Sequence, residues 1–333
     1  MKAIVLNQQT NRLEYQEVPN PVVSKSDVLI RLKAASLNHH ELWSLKEKNL
    51  QKDAPIIMGS DGAGVVESVG SGVTRFSKGD EVIINSSMNW GPNPRVQGAD
   101  YQILGFPTDG TFAEYISIPE EYVFTKPPHL SFEEAAAIPL AGLTAYRALF
   151  SRGEFEPGQS VLITGVGGGA ALMALSFAVA AEASVYVTSG DPSKIQKAVK
   201  LGAKGGANYK ETYWPAQLQD LSGGFDVIID SAGGPGFKYL TELANPGARI
   251  VLFGRTAGNI EDLSPRVIFW KQLSIHGTSM GTSQEFEQML KLFSDRKIHP
   301  VIDAVYPLKQ INEAFNRMDA SDQFGKIVIQ IWA

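Results

Sequence analysis

The run Val161-Leu162-Ile163-Thr164-Gly165-Val166-Gly167-Gly168-Gly169-Ala170-Ala171 is the part of this sequence richest in chemistry. An apolar stretch enters clustered glycines, and residues 172–181 beyond them are apolar almost all round, as a buried helix is. A dinucleotide pyrophosphate requires that strand–turn–helix context. Glycines allow the sharp turn and let phosphate oxygens reach main-chain N–H groups at the positive end of the helix. Two registers are open, one on Gly165, Gly167 and Ala170, the other on Val166, Gly168 and Ala171. The expected contacts are Gly165, Gly167, Gly168, Gly169 and Ala170. A glycine turn that only packs a helix on a sheet is the competing reading.

The next apolar strand, Val185-Tyr186-Val187-Thr188-Ser189-Gly190, ends in serine. An acidic residue there would accept hydrogen bonds from the ribose hydroxyls of NAD; serine leaves room for a 2′-phosphate, so NADPH is the expected cofactor. Asp191 precedes Pro192, the arrangement of a helix N-cap with proline at the first helical position.

Composition removes other chemistries. The chain has no cysteine, which excludes disulfides, thiolate zinc sites and a cysteine nucleophile. Its 30 basic and 35 acidic residues, a net charge of −5, give no footprint for nucleic acid. No apolar run approaches the ~20 residues that cross a bilayer, and a cytoplasmic protein is expected. Five histidines (His39, His40, His129, His276, His299) lack ligand spacing and read as packed or solvated imidazoles.

The elements that must position these residues fall into two textures, and 333 residues suit two domains at roughly 150 residues each. Residues 1–125 read as short strands punctuated by glycine and proline, with glycines in 61–70 marking bulges and a long loop over 85–109. Residues 126–281 alternate apolar strands (160–164, 184–188, 225–230, 249–253, 273–276) with helices. That alternation indicates a parallel sheet covered on both faces. Residues 282–333 return to mixed helix and strand.

Several segments together resemble the medium-chain dehydrogenase/reductase superfamily, in its zinc-free quinone-oxidoreductase-like branch. They are Ser36-Leu37-Asn38-His39-His40-Glu41, Met58-Gly59-Ser60-Asp61-Gly62-Ala63-Gly64, Gly79-Asp80-Glu81-Val82, Gly110-Thr111-Phe112-Ala113-Glu114-Tyr115, Ala141-Gly142-Leu143-Thr144-Ala145-Tyr146, the glycine loop, and Gly325-Lys326-Ile327-Val328. The resemblance implies an α/β chain: a GroES-like β-barrel catalytic domain over 1–125 and 282–333, and a Rossmann doubly wound parallel-sheet domain over 126–281. It also implies an active site between the two and a homodimer. The three zinc-ligand positions of the related alcohol dehydrogenases fall on Asn38, Ser60 and Leu140, none a zinc ligand, so no metal is expected.

From the resemblance, Asn38 and Glu41 face the nicotinamide ribose and Trp43 lines the substrate cleft. Thr144 approaches the nicotinamide-side phosphate, and the main chain at Phe253, Gly254 and Met280 holds the nicotinamide amide. Ser189, Lys194 and Tyr209 surround the 2′-phosphate, and His39 stands near the pyrophosphate. Without a Lewis acid, hydride transfer suits acceptors whose charge delocalises onto a remote oxygen. Quinones and α,β-unsaturated carbonyl compounds are the expected substrates. A reductase of another carbonyl class, or a nucleotide-binding protein with little catalysis in the manner of zeta-crystallin, is the alternative.

Overall fold

In a computed structural model, which describes residues 1–7, 12–47 and 55–332, the chain divides into two compact units. One is Met1–Ala141 with Gly281–Ala333, and the other is Gly142–Met280. The first division between the units falls inside the helix Pro139–Tyr146, and the second between Met280 and Gly281. Residues 126–141 stay with the β-rich unit through contacts to its earlier strands. The buried Lys126 ammonium lies 3.1 Å from the Glu81 carboxylate, the Leu140 N–H donates to Asp61 at 2.8 Å, and Ala135, Ala136 and Ile138 are fully buried.

In the first unit the ten-residue strand Asp27–Ser36 is the spine. Its residues Val28, Ile30, Leu32 and Ala34 alternate into the core as period-2 patterning requires. One edge pairs antiparallel with Asp61–Val69. The other is shared by Tyr115–Pro119 along its first half and Lys326–Gln330 along its second. The pairing of Asp27–Ser36 with Asp61–Val69 slips register twice, as the glycines of that strand led one to expect. The long loop is ordered by a short ladder between Ser87–Met88 and Gln102–Ile103 and by Trp90 packed edge-on against Tyr101.

The second unit is a six-stranded sheet in which every pairing is parallel. Its strands are β1 (Ser160–Ile163), β2 (Ser184–Ser189), β3 (Gly205–Asn208), β4 (Phe225–Asp230), β5 (Ala244–Leu252) and β6 (Ser274–Gly277). Their order is β3–β2–β1–β4–β5–β6. The chain winds outward from β1 to β3, then crosses back to β4, so strand order reverses between β1 and β4. That reversal is where doubly wound sheets bind dinucleotides. β3 has the sequence Gly-Gly-Ala-Asn and carried no strand signal; it forms because it adds to the edge of β2. β5 begins five residues earlier than its apolar core suggests. No described helix is long and apolar enough to cross a membrane.

Candidate functional site

At the carboxyl ends of β1 and β4 the second unit builds a cradle of backbone. Beyond β1, Gly165 takes φ +65° and Gly167 φ +134°, conformations that side chains with a Cβ resist. Gly168 is then the N-cap of the helix Gly169–Ala180, and a Cβ placed on it would meet no atom within 4 Å. The first N–H groups of that helix are unsatisfied by the helix itself and open on this space. The floor is pinned by Asp230 at the end of β4. It is 1% exposed and accepts from the Thr164 hydroxyl at 2.6 Å, Gly233 N–H at 2.8 Å and Ala232 N–H at 3.3 Å. Burial raises its carboxyl above the ordinary range.

The other cofactor candidates of this unit sit along the same sheet edge. Gly254 follows β5 so closely on the neighbouring loop that a Cβ would lie 2.2 Å from the Ser231 carbonyl oxygen, and Phe253 N–H donates to Asp230 O at 3.1 Å. The Thr144 hydroxyl meets Met280 Sδ at 3.7 Å, with Met280 held at φ +44°. Past β2, Asp191 is the N-cap of the helix Pro192–Lys200, its carboxylate accepting from Ser193 N–H at 2.8 Å. Ser189 is 4% exposed and its hydroxyl accepts from Asp191 N–H at 3.3 Å, so that side chain faces inward. Lys194 is half-buried in the first turn of the same helix, and Tyr209 is 49% exposed beside Gly190.

The first unit gathers a buried polar cluster around the helix His39–Glu47. Asp61 accepts from Ser36 Oγ and Asn38 Nδ2, both at 2.9 Å, and from Leu140 N–H at 2.8 Å. Lys326 Nζ lies 3.1 Å from Asp61 and donates to Asn38 Oδ1 at 2.6 Å and Leu37 O at 2.7 Å. Asn38 is thus engaged at both ends of its amide, with one Nδ2 hydrogen left. Glu41 is 2% exposed and its oxygens take the backbone N–H groups of Asn38 at 2.8 Å and Ser60 at 2.9 Å. This geometry makes Glu41 a brace for the turn; it does not turn outward as a catalytic group would. Burial pushes its carboxyl up to about 7.

His40, grouped in the sequence with the packed imidazoles, belongs to this cluster. Its Nε2 is 2.7 Å from Ser60 Oγ, whose own proton goes to Leu104 O at 2.7 Å. The serine therefore accepts from Nε2–H, which sets the neutral tautomer. Burial pushes the imidazole down to about 4, although 28% of the side chain stays exposed. His39 is half-buried, and burial together with the Lys326 charge lowers its pKa, which works against a cationic role at a pyrophosphate. Trp43 is 40% exposed, with Lys46 Nζ 5.8 Å from its ring centre, so it is not a core tryptophan. Asp61 and Lys326 lay in quoted motifs without an assigned role, and only the contact between them reveals one. Among the described residues, no three His, Asp or Glu side chains are grouped to share a metal ion.

Comparison with known proteins agrees with both halves. An alcohol dehydrogenase GroES-like domain model matches residues 24–128 and a zinc-binding dehydrogenase model matches residues 169–295. A zinc-type alcohol dehydrogenase-like protein of Schizosaccharomyces pombe is 35% identical over 328 residues, covering 96% of this chain and 94% of its own. A quinone oxidoreductase of Rattus norvegicus is 29% identical over 323 residues, covering 94% and 92%. The crystal structure of an NAD-dependent alcohol dehydrogenase, 35% identical, matches with a TM-score of 0.93 over 100% of both chains. With a GroES-like unit and a six-stranded Rossmann sheet, the chain belongs to the medium-chain dehydrogenase/reductase superfamily of NAD(P)-dependent oxidoreductases.

Proposed function

We propose that this protein reduces quinones or α,β-unsaturated carbonyl compounds with NADPH and without a catalytic zinc ion. The observation that carries the reading is the donor set around Asp61. Of the three positions that correspond to zinc ligands, Asn38 and Leu140 donate hydrogen bonds to Asp61, and Ser60 is hydrogen-bonded to His40 and Leu104. The positive charge at the cluster is the Lys326 ammonium. Thiolates are missing from the sequence, and one imidazole already bound to serine does not fit a tetrahedral zinc site.

The cradle at 165–170 fits a dinucleotide: its backbone approaches freely at Gly168 and a helix N-terminus faces it. When bound, NADPH supplies the hydride. The loop N–H groups would hold the pyrophosphate, and the main chain at Phe253, Gly254 and Met280, steadied by Thr144, would orient the nicotinamide amide. Trp43 would frame the acceptor. A quinone or enone places incoming charge on an enolate-like oxygen that water can protonate, so no zinc is needed to stabilise an alkoxide.

A second reading, a dehydrogenase of another carbonyl class, is favoured by the names of the fungal relative and the crystal structure. NADPH consumption with a benzoquinone or 2-cyclohexenone, compared with cyclohexanone, separates the two. Faster turnover of the saturated ketone supports the second reading, as does one tightly bound zinc per chain whose removal abolishes activity. Trp43→Ala should change the ratio of rates between acceptors by about tenfold while NADPH affinity stays within about twofold. A cytoplasmic homodimer is part of the proposal. Supporting it, β6 is an edge strand, and Phe269 and Trp270 just before it are 59% and 79% exposed. Sedimentation of the purified chain tests this.

A further inference from the structure

We propose that Ser87 is a positioning residue for hydride transfer: by holding the Gly281 carbonyl it keeps the Met280 main chain in the strained conformation from which it supports the nicotinamide amide. The assignment rests on the reading above, in which Met280 is part of that support.

The observation that points there is a backbone outlier. Eight described residues that carry a Cβ take positive φ. Seven are polar and exposed, Gln272 and Lys297 among them as helix C-caps. The eighth, Met280 at φ +44°, is apolar and 2% exposed. In that region the Cβ crowds the following carbonyl oxygen, and methionine lacks the short polar side chain with which asparagine or aspartate compensates locally. Strain of this kind persists only where the surroundings over-determine it, and it gathers at functional sites.

Bonds on either side of Met280 supply that constraint. Before it, Thr278 N–H donates to Leu252 O at 3.0 Å just past the end of β6, and the Thr144 hydroxyl meets Met280 Sδ at 3.7 Å. After it, Ser87 Oγ donates to Gly281 O at 2.6 Å. Thr282 then caps the helix Ser283–Arg296, its N–H donating to Glu285 at 2.8 Å, and Asn85 Nδ2 reaches Ser283 Oγ at 3.4 Å. Asn85 Oδ1 also accepts from Ser87 N–H at 3.0 Å, and both residues are buried, so they form one brace. The cap is closed within the first turn of its own helix, and Asn85 grips a side chain. Of these later bonds, the one from Ser87 holds the main chain next to Met280 from a distant segment. A buried hydroxyl with a carbonyl at 2.6 Å is a fixed anchor, and an alanine in its place would leave Gly281 and Met280 free to relax together.

The test compares wild type, Ser87→Ala, Met280→Ala and Met280→Gly, using NADPH and 2′-phospho-ADP-ribose, which is NADPH without its nicotinamide ring. Calorimetry reads both affinities, and the emission of bound NADPH reports how firmly its nicotinamide is held. Ser87→Ala should weaken NADPH by about fivefold or more, move its bound emission toward that of the free cofactor, and leave the fragment within about twofold. Met280→Gly removes the Cβ penalty and should melt above Met280→Ala. Adding Ser87→Ala to both should shrink that gap, because the segment can then relax. A Ser87→Ala protein that binds NADPH within about twofold of wild type, or that loses NADPH and the fragment alike, overturns the positioning role. An absent melting gap, or one that Ser87→Ala leaves unchanged, does the same. A wild type that binds NADPH no more tightly than the fragment overturns instead the reading that the main chain holds the nicotinamide, whatever the variants do.

Discussion

Lys326 Nζ lies 3.1 Å from Asp61 Oδ2, a buried ion pair closed across 265 residues of sequence with 4% and 0% of the two side chains exposed. Two charges out of water are tolerable only when their remaining hydrogen-bonding capacity is met. Here it is met: the ammonium also donates to Leu37 O and Asn38 Oδ1, and the carboxylate takes Ser36, Asn38 and Leu140.

Removing one partner leaves the other charge buried and alone. Lys326→Ala should therefore lower unfolding free energy by about 3–5 kcal/mol, and the double variant Lys326→Met/Asp61→Leu should recover part of the loss. Urea denaturation followed by far-UV circular dichroism reads both. A single variant within about 1 kcal/mol of wild type would show the pair to be energetically idle.

The neighbouring Glu41 and His40 titrate in opposite directions on folding. Glu41 is raised from 4.5 to about 7, so the folded protein binds the extra proton and Glu41 takes stability away as pH rises through that window. His40 is lowered from 6.5 to about 4, so the unfolded chain binds the extra proton and His40 adds stability as pH rises from about 4 to 6.5. In wild type the two slopes oppose each other. Glu41→Gln should leave stability rising between pH 4 and 6.5, and His40→Gln should leave it falling between pH 4.5 and 7. Denaturation midpoints across pH check the signs; equal slopes in both variants would refute the coupling.

Two glycines of the cradle should separate folding from binding. Gly168 faces open space, so Gly168→Val should leave thermal unfolding nearly unchanged and weaken NADPH by about tenfold or more, since the backbone must approach the pyrophosphate. Gly165 has φ +65° and a Cβ there would lie 2.9 Å from Ser231 Oγ, so Gly165→Ala should lower stability by about 1 kcal/mol or more. Loss of stability in Gly168→Val comparable to that of Gly165→Ala would argue that the loop is a packing device and not a cradle.

What the sequence determined by itself was local. β1, the glycine turn and the helix Gly169–Ala180 are legible because β-branched runs, glycines and an all-apolar helix are read over a few residues. Asp191 before Pro192 announces its cap for the same reason, and the capping bond reaches only two residues. The tertiary structure decided the rest. β3 has almost no apolar side chain and becomes a strand only by pairing with β2. Residues 126–141 join the β-rich unit through Lys126, Leu140 and buried alanines, whose partners lie far back in the chain. His40 gives no sign in its own neighbourhood that Ser60 will meet its Nε2, nor Lys326 that it will face Asp61. Those meetings follow from strand registers and helix placement, and the free energy that sets them is distributed over the whole core, so no window of sequence contains it.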